Sequence, residues 1–151
     1  MLFYCDNLEN VCKEVRRVLK PGGRFLCSTY GNSHMKEISQ LVSQFDERIV
    51  LSANKLYEKF GRENGAQVLE PWFSRVEWIS YEDGLLVSDP EPLISYILSC
   101  HGNQNRYLLD HYKEFRSFVR KKPEKGLHIT KDAGIFYLQL LNFPLCFSLS
   151  Y

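Results

Sequence analysis

The sequence predicts an α/β fold, and three observations carry that prediction. Between Asp6 and Phe45 an amphipathic helix, a short apolar strand and a second amphipathic helix follow one another. A Pro21-Gly22-Gly23 stop separates the first helix from the strand, and the strand itself is a nearly unbroken apolar run. Helices and strands that alternate along the chain pack as layers around a shared sheet. With 151 residues, 44% of them hydrophobic, the chain is long enough to enclose a core as one domain spanning 1–151.

The first helix follows from Leu8, Val11, Cys12, Val15, Val18 and Leu19, which repeat every three to four positions. Asp6 precedes them, and Glu9 stands three places later as in a capping box. Lys13, Arg16, Arg17 and Lys20 occupy its second half, where positive charge suits the negative end of the helix dipole. That basic cluster reads as a solvated helix face.

Arg24 to Tyr30 has the profile of a buried parallel strand, with its hydroxyl-bearing end at the carboxyl edge of a sheet. Ser33 is placed to cap a second helix through Met35, Ile38, Leu41, Val42 and Phe45. Residues 1–48 thus form a helix-strand-helix block. Shorter helical pieces follow at Leu56 to Phe60 and Arg62 to Glu70, punctuated by Gly61, Gly65 and Pro71.

Val76 to Tyr81 reads as a strand that Glu82-Asp83-Gly84 interrupts before Leu85 to Val87. Asp89-Pro90 begins a helical insertion over 89–122, with one core face at Leu93, Ile94, Ile97 and Leu98. A further helix runs through Tyr107, Leu108, Phe115, Phe118 and Val119, and Pro123 and Gly126 end the insertion. Leu127 to Thr130 and Ile135 to Leu138 form either a hairpin or one irregular strand. The segment 140–151 is an apolar tail, too short and too interrupted to span a bilayer, that needs a hydrophobic surface to rest on.

The formal charge of +1 provides no electrostatic footprint for nucleic acid or for an anionic membrane. Five cysteines, Cys5, Cys12, Cys27, Cys100 and Cys146, are scattered without a C-x-x-C pair. They point to reduced thiols in a cytoplasmic protein, with neither a disulfide framework nor a metal site. The opening Met1-Leu2-Phe3-Tyr4-Cys5-Asp6 has no secretory pattern and reads as the interior of a domain.

The segment Glu14-Val15-Arg16-Arg17-Val18-Leu19-Lys20-Pro21-Gly22-Gly23-Arg24-Phe25-Leu26 resembles the block of class I S-adenosylmethionine-dependent methyltransferases in which a helix leads into the fifth strand. Met1 to Asp6 is similar to the stretch after the fourth strand of that family, with Tyr4 where many relatives carry histidine. Ser28 to Glu37, Glu63-Asn64-Gly65 and Tyr81-Glu82-Asp83 resemble later blocks of a bacterial small-molecule-type subgroup. The likeness runs from Met1 to about Tyr137.

The resemblance implies a partial Rossmann-like methyltransferase fold. Of the strand order 3-2-1-4-5-7-6 it retains the last three, with flanking helices and a helical insertion before the last strand. It implies S-adenosylmethionine as cofactor, yet no G-x-G-x-x-G-like turn occurs in these residues. The expectation is a truncated, C-terminal-half methyltransferase that is inactive alone. Two alternatives stand beside it: an active enzyme completed by a second chain, and a protein-protein interaction module. The retained fifth strand would expose an unpaired edge, so a homodimer or a complementary methyltransferase fragment is the expected partner.

Tyr4, Tyr30 and His34 are the substrate-pocket candidates. Aromatic faces can wall an acceptor pocket or favour a sulfonium, and an imidazole exchanges protons near neutrality. The competing readings are ordinary packing for two of nine tyrosines and a helix-terminal surface position for His34. Cys5 and Cys27 have no activating base in view, and His101, His111 and His128 show no metal pattern. Tyr107, Phe115 and Phe118, with Trp72 and Trp78, have spacings better explained by core packing than by a lid.

Overall fold

The computed structural model describes residues 2–52, 55–121 and 126–140. A 3-10 turn at Leu2–Tyr4 leads into α1 (Leu8–Val18), β1 (Arg24–Tyr30) and α2 (Lys36–Phe45). Two short helices follow, α3 (Leu56–Lys59) and α4 (Gly65–Leu69), then β2 (Arg75–Val87). The insertion comprises α5 (Pro90–Ser99), α6 (Gln104–Leu108) and α7 (Tyr112–Arg120), and β3 (Leu127–Gln139) closes the described chain. The apolar segment expected over 140–151 lies outside the described residues beyond Leu140.

α1 starts one residue later than the capping-box pattern suggests. Asn7, not Asp6, is the cap, and its side chain accepts a hydrogen bond from the Asn10 amide at 2.9 Å. The stop at the other end is as the sequence requires. Gly22 adopts φ 70°, and a side chain on Gly23 would press against the Lys20 carbonyl. Both glycines are therefore demanded by the backbone reversal into β1.

The sheet has the order β1-β3-β2, and both pairings are antiparallel. The expectation of a parallel, fully buried strand at Arg24–Tyr30 is corrected on both counts. Among the described residues β1 pairs with no strand but β3, and Leu26 on its outward side is 57% exposed while Cys27 and Thr29 are buried. An edge strand with one wet face alternates in burial; a central parallel strand does not.

β2 is also continuous where an interruption was expected. Glu82, Asp83 and Gly84 pair in register with Asp132, Lys131 and Thr130. Of the two readings for Leu127 to Leu138, the single strand holds. The helix expected from Tyr107 to Val119 is broken at residues 109–111 into α6 and α7.

β1 covers only half of β3, from Ala133 to Gln139. Beyond that point the free backbone of β3 is satisfied by the segment after β1. Gly31 N–H donates to the Asp132 carbonyl (2.9 Å), Met35 N–H to the Thr130 carbonyl (2.8 Å), and Thr130 N–H to Glu37 Oε2 (2.9 Å). Met35 takes φ 56° to make that turn and α2 begins behind it at Lys36 without a side-chain cap. Ser33 is thus not the cap: its amide donates to Asp132 Oδ2 at 3.3 Å.

Two cores share the sheet. Phe136 and Leu138 belong to one with Leu2, Phe3, Cys12, Cys27, Phe60, Leu69 and Phe73. Ile129 belongs to the other with Ile38, Leu41, Val42, Leu93, Ile97, Leu108 and Phe115. Side chains alternate faces along a strand, so Ile129 and Phe136, an odd number of positions apart, project to opposite sides of β3. The helical insertion packs with α2 on one face, and α1, α3 and α4 pack on the other.

Candidate functional site

The site candidates converge at the carboxyl end of β1. Burying Thr29 against the Phe60 carbonyl, to which its hydroxyl donates at 2.7 Å, anchors this end of the strand. Tyr30 is the last strand residue, and the Phe3 ring meets it edge-on at 5.6 Å. Tyr4 packs edge-on against Phe3 at 4.8 Å, and the His34 ring lies 5.2 Å from Tyr30. The three predicted residues therefore form one aromatic series with Phe3 inserted into it.

A cleft of about 450 Å³ opens here on the face of the sheet left bare by the first core. Phe3, Tyr30 and His34 line it together with Ile79 and Tyr81 of β2 and Ile135 of β3. Tyr4, 64% exposed, is not among its lining residues. It meets the cleft only through its ring contact with Phe3.

His34 does not take the helix-terminal surface position that was the alternative to a place in the pocket. It lies in the turn before α2, half-buried, and its Nδ1 is buried with no hydrogen-bond partner. Burial, then the charge of Lys131, hold its pKa below the ordinary histidine range, and Asp132 offsets this only in part. The imidazole is therefore neutral at pH 7. Burial, with Tyr4 and Tyr57 nearby, raises the Tyr30 pKa, so its hydroxyl remains a proton donor.

Asp132 organises the turn that carries His34. Its buried carboxylate pairs with Arg62 Nη1 at 2.8 Å and accepts from the Ser33 amide, while its own carbonyl accepts from Gly31. Gly31 has no side chain because any Cβ there would overlap that carboxylate. With its oxygens engaged in this way, Asp132 is a positioning group for the loop.

Sequence reasoning missed Phe3, Asp132, Arg62, Ile79 and Tyr81. Phe3 and Tyr81 had a signal, since they lie in the Met1–Asp6 and Tyr81-Glu82-Asp83 segments already singled out. The remaining histidines, His101, His111 and His128, are exposed. Among the described residues no group of three or more His, Cys, Asp or Glu could hold a metal ion, and no helix is long and apolar enough to cross a membrane. Phe115 is fully buried in the helical core with Tyr107 and Phe118 packed against it, while Trp72 and Trp78 flank the other core.

Cys12 and Cys27 are buried, and burial pushes the Cys27 thiol up to about 12. A thiol so protonated is no nucleophile at neutral pH. The cleft lining also fails a fit test for S-adenosylmethionine. That donor carries an ammonium, a carboxylate and a sulfonium, and no carboxylate, lysine or arginine lines the cleft to meet them. Comparison with known protein families finds no match to this chain, and no curated protein matches it significantly.

Proposed function

We propose that these residues form the acceptor-side part of a class I methyltransferase-like fold and are catalytically inactive by themselves. The observation that carries this reading is the strand order. β3, last in sequence, lies antiparallel between β1 and β2, which is the arrangement of the final three strands in 3-2-1-4-5-7-6. The helix, Pro-Gly-Gly stop and strand from Glu14 to Leu26 lead into its outer edge. Tyr30 and His34 supply the acceptor side, with Tyr4 packed on Phe3 next to it and no donor site among the described residues.

Calorimetric titration of the chain with S-adenosylmethionine tests the reading. The expected result is no saturable binding, or a Kd weaker than about 1 mM, corresponding to no more than ~4 kcal/mol. Micromolar binding overturns it.

The edge of β1 away from β3, which no strand pairs among the described residues, supports a second reading, an active enzyme completed by another chain. Leu26, Cys27 and Ser28 carry no charge, proline or bulge of the kind that blunts an edge, and backbone groups there need partners. A homodimer or a complementary methyltransferase fragment would supply them. Adding such a fragment and recovering both cofactor binding and a mixed assembly by light scattering would favour this reading over the first.

A further inference from the structure

The cleft beside His34 has a chemistry that specifies its ligand. Its walls are aromatic and aliphatic, contributed by Phe3, Tyr30, Tyr81, Ile79 and Ile135, and its polar lining residues are Ser28, Thr29, Ser80, His34 and the two tyrosines. No ionised side chain faces it, so a charged ligand would shed its hydration without gaining a counter-ion. Arg62 and Asp132 pair with each other at 2.8 Å, and Lys131, which acts on His34 by its charge, is not among the lining residues.

His34 is the one titratable base on the wall, and its Nδ1 has no protein partner. An unpaired buried nitrogen costs free energy, which a donor in the cleft recovers once the ring turns Nδ1 toward it. No protein hydrogen bond at Nδ1 fixes the tautomer or holds the ring in one orientation. The aromatic neighbours favour a flat ligand, which can meet Phe3, Tyr30 or Tyr81 edge-on or offset.

We propose that this cleft binds a neutral, flat, ring-bearing molecule with a hydroxyl group, whose O–H donates to the His34 imidazole. Identifying that molecule as a methyl acceptor rests on the reading above; the binding itself does not. The two ideas fail separately, because one is tested with the cofactor and the other without it.

The probes are 2-naphthol, naphthalene and 2-naphthoate, titrated into the full chain and followed by NMR at the Tyr and His ring signals. The expected result is that 2-naphthol binds roughly five-fold or more tightly than naphthalene, the value of about one hydrogen bond, and that 2-naphthoate binds worst. His34→Ala should abolish the preference for the hydroxyl while leaving naphthalene binding in place, and His34→Gln, which keeps an acceptor, should restore part of it.

A wild-type pH titration reads the same contact without a variant. The hydroxyl preference should persist below the usual histidine pKa of about 6.5 and vanish when acid finally protonates His34. Should His34→Ala fail to fold, that titration decides. Equal affinity for naphthol and naphthalene, a preference for naphthoate, a preference that survives in His34→Ala, or no binding by any probe would overturn the proposal.

Discussion

The two cores that share β3 are built differently. The helical core around Ile129 is dominated by aliphatic side chains from α2, α5, α6 and α7, with Phe115 at its centre. The core around Phe136 is aromatic and tightly cornered: Gly65 lies where any side chain would strike the Phe136 ring, and Gly134 where one would strike Trp78. The cleft lies on the opposite face of the sheet from Phe136, and its lining takes Phe3 and Tyr30 from the second core and no residue from the first. Helices with local periodicity can close a core among themselves, whereas a core made by a sheet and short helices leaves one sheet face for a ligand or a partner.

The largest test of this contrast removes one ring from each core. Phe136 is 1% exposed and Phe115 is fully buried. Replacing either with alanine should cost about 3–5 kcal/mol in urea denaturation. The difference should appear in native-state NMR. Phe136→Ala should shift Tyr30 and His34 signals, since Phe60 and Trp78 pack on its ring at 5.8 and 4.9 Å, and Phe115→Ala should leave them unmoved. Equal perturbation of the cleft by both would mean that the cores are not separable.

A smaller effect comes from crowding instead of emptying the aromatic core. Gly65→Ala pushes a methyl group into the Phe136 ring and should destabilise by roughly 1–3 kcal/mol. Gly31→Ala should cost a similar amount by displacing the Asp132 carboxylate, but it should also release the turn bearing His34. Hydrogen exchange at Ser33 and Met35 distinguishes the two: faster in Gly31→Ala, unchanged in Gly65→Ala.

The same contrast explains what could be read from sequence. α1 and α5 were legible because their apolar spacing is local, and Asp89 does cap α5, accepting from the Glu91 amide at 3.0 Å. The Pro-Gly-Gly stop was legible because its geometry needs only neighbours. Glu82-Asp83-Gly84 carries a turn signal that pairing with Lys131 and Asp132 overrides. Ser33 looked like a cap because Asp132, which claims its amide, is 99 residues away in sequence. Arg62 is 70 positions from its partner. Tyr30 and His34 were legible as a pair because β1 delivers both; the β2 and β3 walls of their cleft were not.

At the edge of the aromatic core, Asn7 offers a change of about 0.5–2 kcal/mol. Its side chain satisfies one of the free amides at the start of α1, and Asn7→Ala should lose that amount. Asp6→Ala should be nearly silent, because Asp6 does not cap. Equal losses for the two would restore the capping-box reading that the structure corrects.

The smallest effect is one of pH, and it reports on the cleft alone. His34 has a lowered pKa in the folded chain, so between its folded and unfolded pKa values the unfolded chain binds more protons. Stability must then rise with pH across that window, by linkage, and the contribution is lost as pH falls below about 6.5, the unfolded value. Denaturation midpoints of wild type and His34→Gln, measured from about pH 5 to 7.5 to span that value, should run parallel near neutrality and part below about 6.5, where wild type loses stability through His34 and the variant does not. A slope that His34→Gln leaves intact would assign the pH dependence to another group and remove the main support for a neutral imidazole at the cleft wall.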